Sequence, residues 1–406
     1  MMNMAAAAAN TVEIPLARQV SDEVAGDIEK ESVFVSPQIE RIVVSEDRAH
    51  ATLLLRDGDA TDETLDKARR YLDVMAKHLS GFEVKVLFET VRKDSGDYIS
   101  DAHQGLVDRG WVHDYGKGQV AYSGPVLKLA HFVNAEAEKL YSQVFQTKDA
   151  YFPSFIDHET LQKCGYIESH PNAVSFVASV VEDFDKLEAY RLANSCGAGP
   201  AMPPNPDIHH AGMCLNPAAC LPAYPTLQGK QIGPEGHIIS WLGRVFRYES
   251  RNISGLDRLY EFNVREIVFV GSEEFVAERR ERALPLVVSL AETLDLDMSL
   301  QSATDPFFAT VSAAKKFFQQ AHDVKNEILL STLKPDGSKK LLAGGSVNMH
   351  GTFFGERFDI TTEDGSPAHT GCIGLGIERW VVTAFTQHGF DPDRWPERVR
   401  DAIFSD

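Results

Sequence analysis

Two apolar runs, GRVFRYES (243–250) and RLYEFNVREIVFVG (258–271), stand a few residues apart, and both carry charges inside otherwise branched and aromatic sequence. Branched and aromatic residues favour extended chain, so the pair reads as two antiparallel strands joined by a short polar loop. Side chains alternate along a strand. Val245, Arg247 and Glu249 therefore share one face, as do Phe262, Val264 and Glu266 on the partner. Placing a cation and two carboxylates among apolar neighbours is costly unless they pair or serve a ligand. The sheet is built either around a buried Arg–Glu pair or around a site.

A second stretch, GCIGLGIERWVVTAF (371–385), carries Cys372 into a glycine-studded turn and then into a helix. Ile377, Trp380, Val381 and Ala384 form that helix's apolar stripe, with Arg379 in its first turn. Upstream, VLKLAHFVNAEAEKLYSQVF reads as an amphipathic helix followed by AYFPSFI, a strand carrying Pro153. SEEFVAERRERALPLVVSLAETLDL reads as a helix capped by Ser272, and SVNMHGTFFGERFDITT as a strand.

Residues 1–20 are expected to be a disordered tail and residues 21–120 a small α/β domain with a linker at 94–120. Within it VFVS, RIVVS, HATLLL and EVKVLF are strand-like. TDETLDKARRYLDVMAKHL is helical, with Thr61 as cap and Leu65, Ala68, Leu72, Met75 and Leu79 as its stripe. Residues 121–406 form the larger domain. The Pro- and Gly-rich segment 197–212 is expected to be loop.

FRYE (246–249), then Arg258, Phe262 and Glu266, then GLGIER (374–379) resemble motifs 2 and 3 of class II aminoacyl-tRNA synthetases. AYFPSFI resembles motif 1, which in that family builds a dimer interface. The spacing Arg258-x3-Phe262-x3-Glu266 is similar to the seryl-tRNA synthetase branch, and the likeness covers roughly 126–390. It implies an α+β fold: an antiparallel sheet flanked by helices, preceded by the small α/β domain. It also implies a catalytic pair, Arg247 and Arg379, and an ATP site. Arg247 would hold the α-phosphate, Glu249 the adenine amino group and Phe262 the adenine face, with Arg258 and Arg379 on the γ-phosphate side. Mg²⁺ would accompany ATP. Fixed guanidinium donors suit the charge that builds on phosphoryl oxygens when a carboxylate attacks the α-phosphorus.

The sequence departs from ordinary seryl-tRNA synthetases at two places. Cys220, in NPAACLPAYP, stands where the family has a glutamate that touches the amino acid, and Cys372 stands in the strand before motif 3. With Glu266 these make two thiols and a carboxylate, the form of a working Zn²⁺ site with one open position. This resembles the methanogenic type of seryl-tRNA synthetase and the amino acid:[carrier protein] ligases, in which the metal takes the substrate's α-amino group. The bland alternative is that both cysteines are small core residues. His209, His210 and Cys214 form a weaker rival set, and Cys164 reads as packing. Ser346 and Asn348 stand where the family lines the amino-acid pocket, and Lys325 and Glu327 are further candidates.

Composition bears on the acceptor. Net charge is −19, and residues 1–100 hold 12 Lys and Arg against 19 Asp and Glu, a poor surface for displacing counterions from RNA. Basic clusters at ERRER (278–282) and KPDGSKK (334–340) read as solvated faces. No sustained heptads precede the core to form a tRNA-gripping coiled coil. Five scattered cysteines exclude a disulfide framework. No apolar run is long enough to span a membrane, and the N-terminus lacks a signal peptide's pattern, so a cytoplasmic protein is expected; the motif 1 resemblance implies a homodimer. The expected activity is ATP-dependent adenylation of Gly, Ala or Ser and transfer to the phosphopantetheine thiol of a carrier protein. The alternatives are an atypical zinc-dependent seryl-tRNA synthetase with tRNA as partner, or a silent paralogue acting as a binding subunit. The intact Arg247, Glu249, Phe262 and Arg379 set argues against silence.

Overall fold

The computed structural model describes residues 10–77, 84–93, 96–193, 208–250, 252–303, 325–333 and 337–405. An N-terminal unit comprises β1 (Thr11–Pro15), α1 (Asp22–Glu31), β2 (Ile39–Val44), β3 (His50–Leu55) and α2 (Asp62–Ala76). Its strands pair antiparallel in the order β1–β3–β2. Ile28, Ile42, Leu53, Ala68, Leu72 and Met75 fill a core of its own. The Thr61 hydroxyl accepts from the Thr64 N–H at 3.2 Å, as a helix cap should.

Three expectations for this region are corrected. Thr11–Pro15 is a strand rather than tail, because Ile14 enters the core; residues 1–9, like Leu79 and Cys196, lie outside the described residues. VFVS is not a strand: Ser32–Phe34 continue α1 as a single 3₁₀ turn. The N-terminal unit also ends before residue 86, well short of 120. The chain continues through β4 (Val86–Thr90), α3 (Ala102–Asp108), the hairpin β5 (Val112–Gly116) and β6 (Gln119–Tyr122), and α4 (Gly124–Val144). Of these, β4 is an edge of the large sheet, and Leu106 and Val112 are buried in the main core. Alternation identifies a strand; it does not say which sheet the strand joins.

The larger body continues with β7 (Lys148–Asp149), β8 (Phe155–Asp157), β9 (Phe176–Val180), β10 (Ile208–Leu215), β11 (Gln231–Ile232), β12 (His237–Phe246) and β13 (Glu261–Gly271). After these come α5 (Glu273–Thr293), β14 (Met298–Ser302), β15 (Lys325–Leu333), β16 (Lys339–Gly351), β17 (Thr361–Thr362), β18 (His369–Gly376) and α6 (Ile377–His388). Eight strands form one sheet, β4–β14–β15–β16–β18–β13–β12–β7, antiparallel except where β7 joins β12. Alternation along β13 sends Ile267 and Phe269 into the core beneath α4 and α5, and Val268 into a second core with Tyr224, Trp241 and Cys372. Ser272 caps α5, accepting from Phe275 N–H at 3.1 Å.

The motif 1 stretch is extended only at Phe155–Asp157, after Pro153, which has no N–H to give a ladder. His209 and His210 lie in β10, paired with Ser179 and Ala178, and not in a loop; the Pro-rich character stops at Pro206. The ERRER cluster is partly structural, since Arg280 is buried against Asn326 and Arg282 donates to the Val144 carbonyl at 2.9 Å. Among the described residues, no helix is long and apolar enough to cross a membrane.

Candidate active site

The sheet face opposite α4 and α5 carries the charged residues. β12 ends at Phe246, so Arg247 and Glu249 lie at its exit and not within it. The Arg247 N–H donates to the Tyr260 carbonyl at 2.9 Å, and its Nε to the Pro217 carbonyl at 2.9 Å. This anchors the guanidinium over the Phe262 ring, 5.6 Å from its centroid. Glu249 pairs with Arg258 at 3.0 Å. Arg379, in the first turn of α6, donates to the Asp257 carbonyl at 2.8 Å and to the Ala343 carbonyl at 2.7 Å. Its neighbours Ile377, Trp380, Val381 and Ala384 are buried as the helical stripe requires. Leu256, Leu259, Phe262, Gly376 and Arg379 line a recess here. Burial, then the Arg258 and Arg247 guanidinium groups, draw the Arg379 pKa down to about 10, so it is still charged at neutral pH. Cations crowded this closely suit a polyanion.

Beside this recess, Cys220, Glu266 and Cys372 place one sulfur or oxygen each within 4.8 Å of one another. Cys220 opens a 3₁₀ helix (Leu221–Leu227), Glu266 lies in mid-β13, and Cys372 in mid-β18. Glu266 and Cys372 are each 4% exposed, whereas Cys220 is half-buried, so the trio has one accessible side. Burial, then Cys372, push the Glu266 carboxyl well up. The Cys372 thiol is pushed up first by its hydrogen bond with the Cys220 sulfur, then by burial. Three groups that each become anionic resist doing so together in a dry site, and a divalent cation removes that cost. Gly374 keeps the space clear: a Cβ there would lie 2.6 Å from Glu266 Oε2. The donor set, its burial and this cradle fit Zn²⁺ with three protein ligands.

Asn348, opposite Cys372 in the sheet, donates Nδ2 to Cys372 Sγ at 3.6 Å and to Ser346 Oγ at 2.9 Å. Lys325 faces Asn348 across β15, and Glu327 faces Ser346. Sequence reasoning missed His350. Its Nε2 is 3.7 Å from Cys372 Sγ, and its Nδ1 is 3.0 Å from Thr370 Oγ1 and 3.4 Å from the Tyr224 hydroxyl. With Nδ1 accepting from hydroxyls, Nε2–H is left to donate to the sulfur, a support commonly built around metal ligands. His350 stands two positions beyond Asn348, at a bulge between Met349 and Gly351, so period-two alternation does not by itself fix its direction. Sequence reasoning also passed over Glu378, buried behind the recess, which accepts from Asn263 N–H at 2.9 Å and from the Tyr122 hydroxyl at 3.1 Å. The rival set fails: Cys214 is in the core, and His209 and His210 gather no further ligand among the described residues. Cys164 is packing, as expected.

No family model matches the chain. It is 31% identical over 312 residues to amino acid–[acyl-carrier-protein] ligase 2 of Bradyrhizobium diazoefficiens, covering 76% of this chain and 88% of that protein. It is 28% identical over 323 residues to the type-2 serine–tRNA ligase of Methanopyrus kandleri. That match covers 76% of this chain but 60% of the relative, so the chain spans three-fifths of its length. Among solved structures, M. kandleri SerRS in complex with A. aeolicus tRNASec is similar with a TM-score of 0.67. At 23% identity, covering 97% of this chain and 77% of that one, the likeness speaks for the fold.

Proposed function

The chain belongs to the class II aminoacyl-tRNA synthetase-like ligases, and from that membership we propose that it activates a small amino acid with ATP and passes it to a carrier-protein thiol. In the first step the amino-acid carboxylate attacks the α-phosphorus; an O–P bond forms, the bond to the β-phosphate oxygen breaks, and pyrophosphate leaves. In the second, the phosphopantetheine sulfur attacks the acyl carbon, the thiol gives up its proton, and AMP departs.

The observation that carries the reading is the adjacency of two sites: the guanidinium groups around Phe262, and the Cys220–Glu266–Cys372 set beside them. Arg247, pinned through Nε, would keep its remaining donors for the α-phosphate, where charge develops. Phe262 would hold adenine, and Glu249 and Arg258 would exchange their mutual bond for ligand contacts. The Asp257 and Ala343 carbonyls hold Arg379 in place, so contact with ATP would cost it little reorganisation. Mg²⁺ would accompany the phosphates. Zinc on the three ligands would offer its open position to a free amino group, and Ser346, Asn348 and His350 would wall the side-chain end. A dimer would form through the motif 1 stretch, where Tyr151 and Phe155 are 89% and 47% exposed.

One point favours a carrier protein as acceptor: the acyl-carrier-protein ligase is matched over 88% of its length. The acidity of residues 1–100 disfavours RNA phosphates without favouring a carrier protein, which is itself acidic. The similarity to a type-2 serine–tRNA ligase over 76% of the chain keeps tRNA as the second reading. The test offers the purified protein uncharged tRNA and a phosphopantetheinylated acyl-carrier protein side by side. Thioester on the carrier with tRNA empty is expected; aminoacylated tRNA with an empty carrier would replace this reading by the second.

A further inference from the structure

We infer that Glu378 and Tyr122 are positioning residues for the base of ATP: through Asn263 they fix the strand segment that carries Phe262, the ring on which adenine would rest. The inference rests on the activation reading, and Tyr122 lies outside the synthetase motifs.

The ladder between β13 and β18 ends at Val264 and Gly376, because the chain turns into α6 at Ile377. Asn263, one residue beyond, gives its N–H to the Glu378 carboxylate, 2.9 and 3.2 Å from the two oxygens. Its Nδ2 donates to Glu378 Oε1 at 2.7 Å, and the Tyr122 hydroxyl donates to the same oxygen at 3.1 Å. Asn263 Nδ2 also lies 3.3 Å from the Tyr122 hydroxyl, which closes the triangle. Glu378 is 4% exposed and lines the same recess as Phe262 and Arg379. A side-chain carboxylate thus takes over from a strand carbonyl at the residue next to Phe262.

The β5–β6 hairpin touches this strand a second time. The Tyr260 N–H donates to the Gly118 carbonyl at 3.0 Å, and a Cβ on Gly118, whose φ is 74°, would lie 2.5 Å from the Tyr260 nitrogen. The Tyr260 carbonyl in turn accepts the Arg247 N–H at 2.9 Å. The hairpin therefore holds β13 on both sides of Phe262. A glutamate in the first turn of a helix commonly complements that helix's dipole. That role is filled from the surface and gives no reason to bury the carboxylate among three donors from two other elements. Buried donors left without an acceptor are costly. The strand would shift to recover partners, and Phe262 would move with it.

The test measures KM for ATP and for the amino acid in pyrophosphate exchange, together with Tm, in wild type, Glu378→Gln and Tyr122→Phe. Glu378→Gln keeps the shape but turns an amide NH2 toward a donor. KM for ATP should rise about tenfold, while KM for the amino acid stays unchanged; Tyr122→Phe should give a smaller rise of the same kind. An unchanged KM for ATP in Glu378→Gln, even with a lowered kcat or Tm, would make the role structural and overturn the inference. Equal rises in both KM values would mean a site distorted as a whole and would overturn it too. If Glu378→Gln does not fold, Tyr122→Phe decides by the same criteria. A wild type without exchange would end the activation reading and this inference with it, whereas exchange in wild type with KM for ATP unchanged in the variant ends the inference alone.

Discussion

The Glu266 carboxylate occupies the space a side chain at Gly374 would need: a Cβ there would come within 2.6 Å of Oε2. The two residues face each other across β13 and β18. The carboxylate is buried and has little room to retreat, so Gly374→Ala should move it relative to Cys220 and Cys372. We expect the wild type to hold close to one zinc per chain by metal analysis. The variant should bind it about 10- to 100-fold more weakly, as when a ligand loses its support, with only a small loss in Tm. Cys372→Ala should lose the metal outright. Zinc content unchanged in both variants would remove the metal assignment.

The Pro217 carbonyl holds Arg247 through its Nε, so truncating the side chain removes a donor that the protein itself positions. Arg247→Ala should lower amino-acid-dependent exchange of pyrophosphate into ATP by on the order of 10²-fold or more. A smaller fall in kcat than in affinity would point to ground-state binding alone. Exchange at the wild-type rate would mean that the strand pair has been assigned the wrong chemistry.

How much of this was written in the chain follows from which signals are local. Phe262 and Glu266 were legible because strand alternation fixes their direction, and Arg379 because helix phase does, once the elements are known; Arg247, just past the end of β12, was legible from its place in FRYE alone. Cys220 and Cys372 lie 152 positions apart; no periodicity joins them, and only their places relative to the synthetase motifs brought them together. The VFVS run failed for a local reason: apolar residues after a helix can extend it by a turn as readily as begin a strand. His350 was overlooked because it sits at a bulge between Met349 and Gly351, where alternation from Asn348 no longer fixes the face.

The cysteines should separate by reactivity. Burial, then Asp157, push the Cys164 thiol up to about 12. The thiolate is the nucleophile, so at pH 8 only about one Cys164 in ten thousand should be reactive, and alkylation should speed up as pH rises toward that value. Cys220 and Cys372 should be shielded by zinc and become labelled once a chelator removes it. Iodoacetamide labelling followed by peptide mass spectrometry reads all three. Cys164 modified in the native protein as fast as in denaturant would contradict its placement, and chelator-independent labelling of Cys220 would count against the metal.

The last prediction concerns what the pocket admits. The accessible side of the metal set lies by Cys220, the one member that is not fully buried. A group presented there must offer a lone pair, and a free amine does so, whereas an N-acylated one has committed its lone pair to the amide and brings added bulk. Exchange measured with N-acetylglycine should therefore stay at background, and N-acetylglycine should not compete with glycine. The amine is common to all amino acids, so the choice of side chain falls to the walls, where Lys325, Ser346, Asn348 and His350 converge. Walls exclude a larger side chain by steric contact, but one missing methylene is worth only about 1–3 kcal/mol. Gly, Ala and Ser should then differ from one another by about 10- to 200-fold at most, and leucine should give no exchange. Robust exchange with leucine would show a pocket wider than these four side chains allow, and exchange with N-acetylglycine would show that the amine is not held at the metal position.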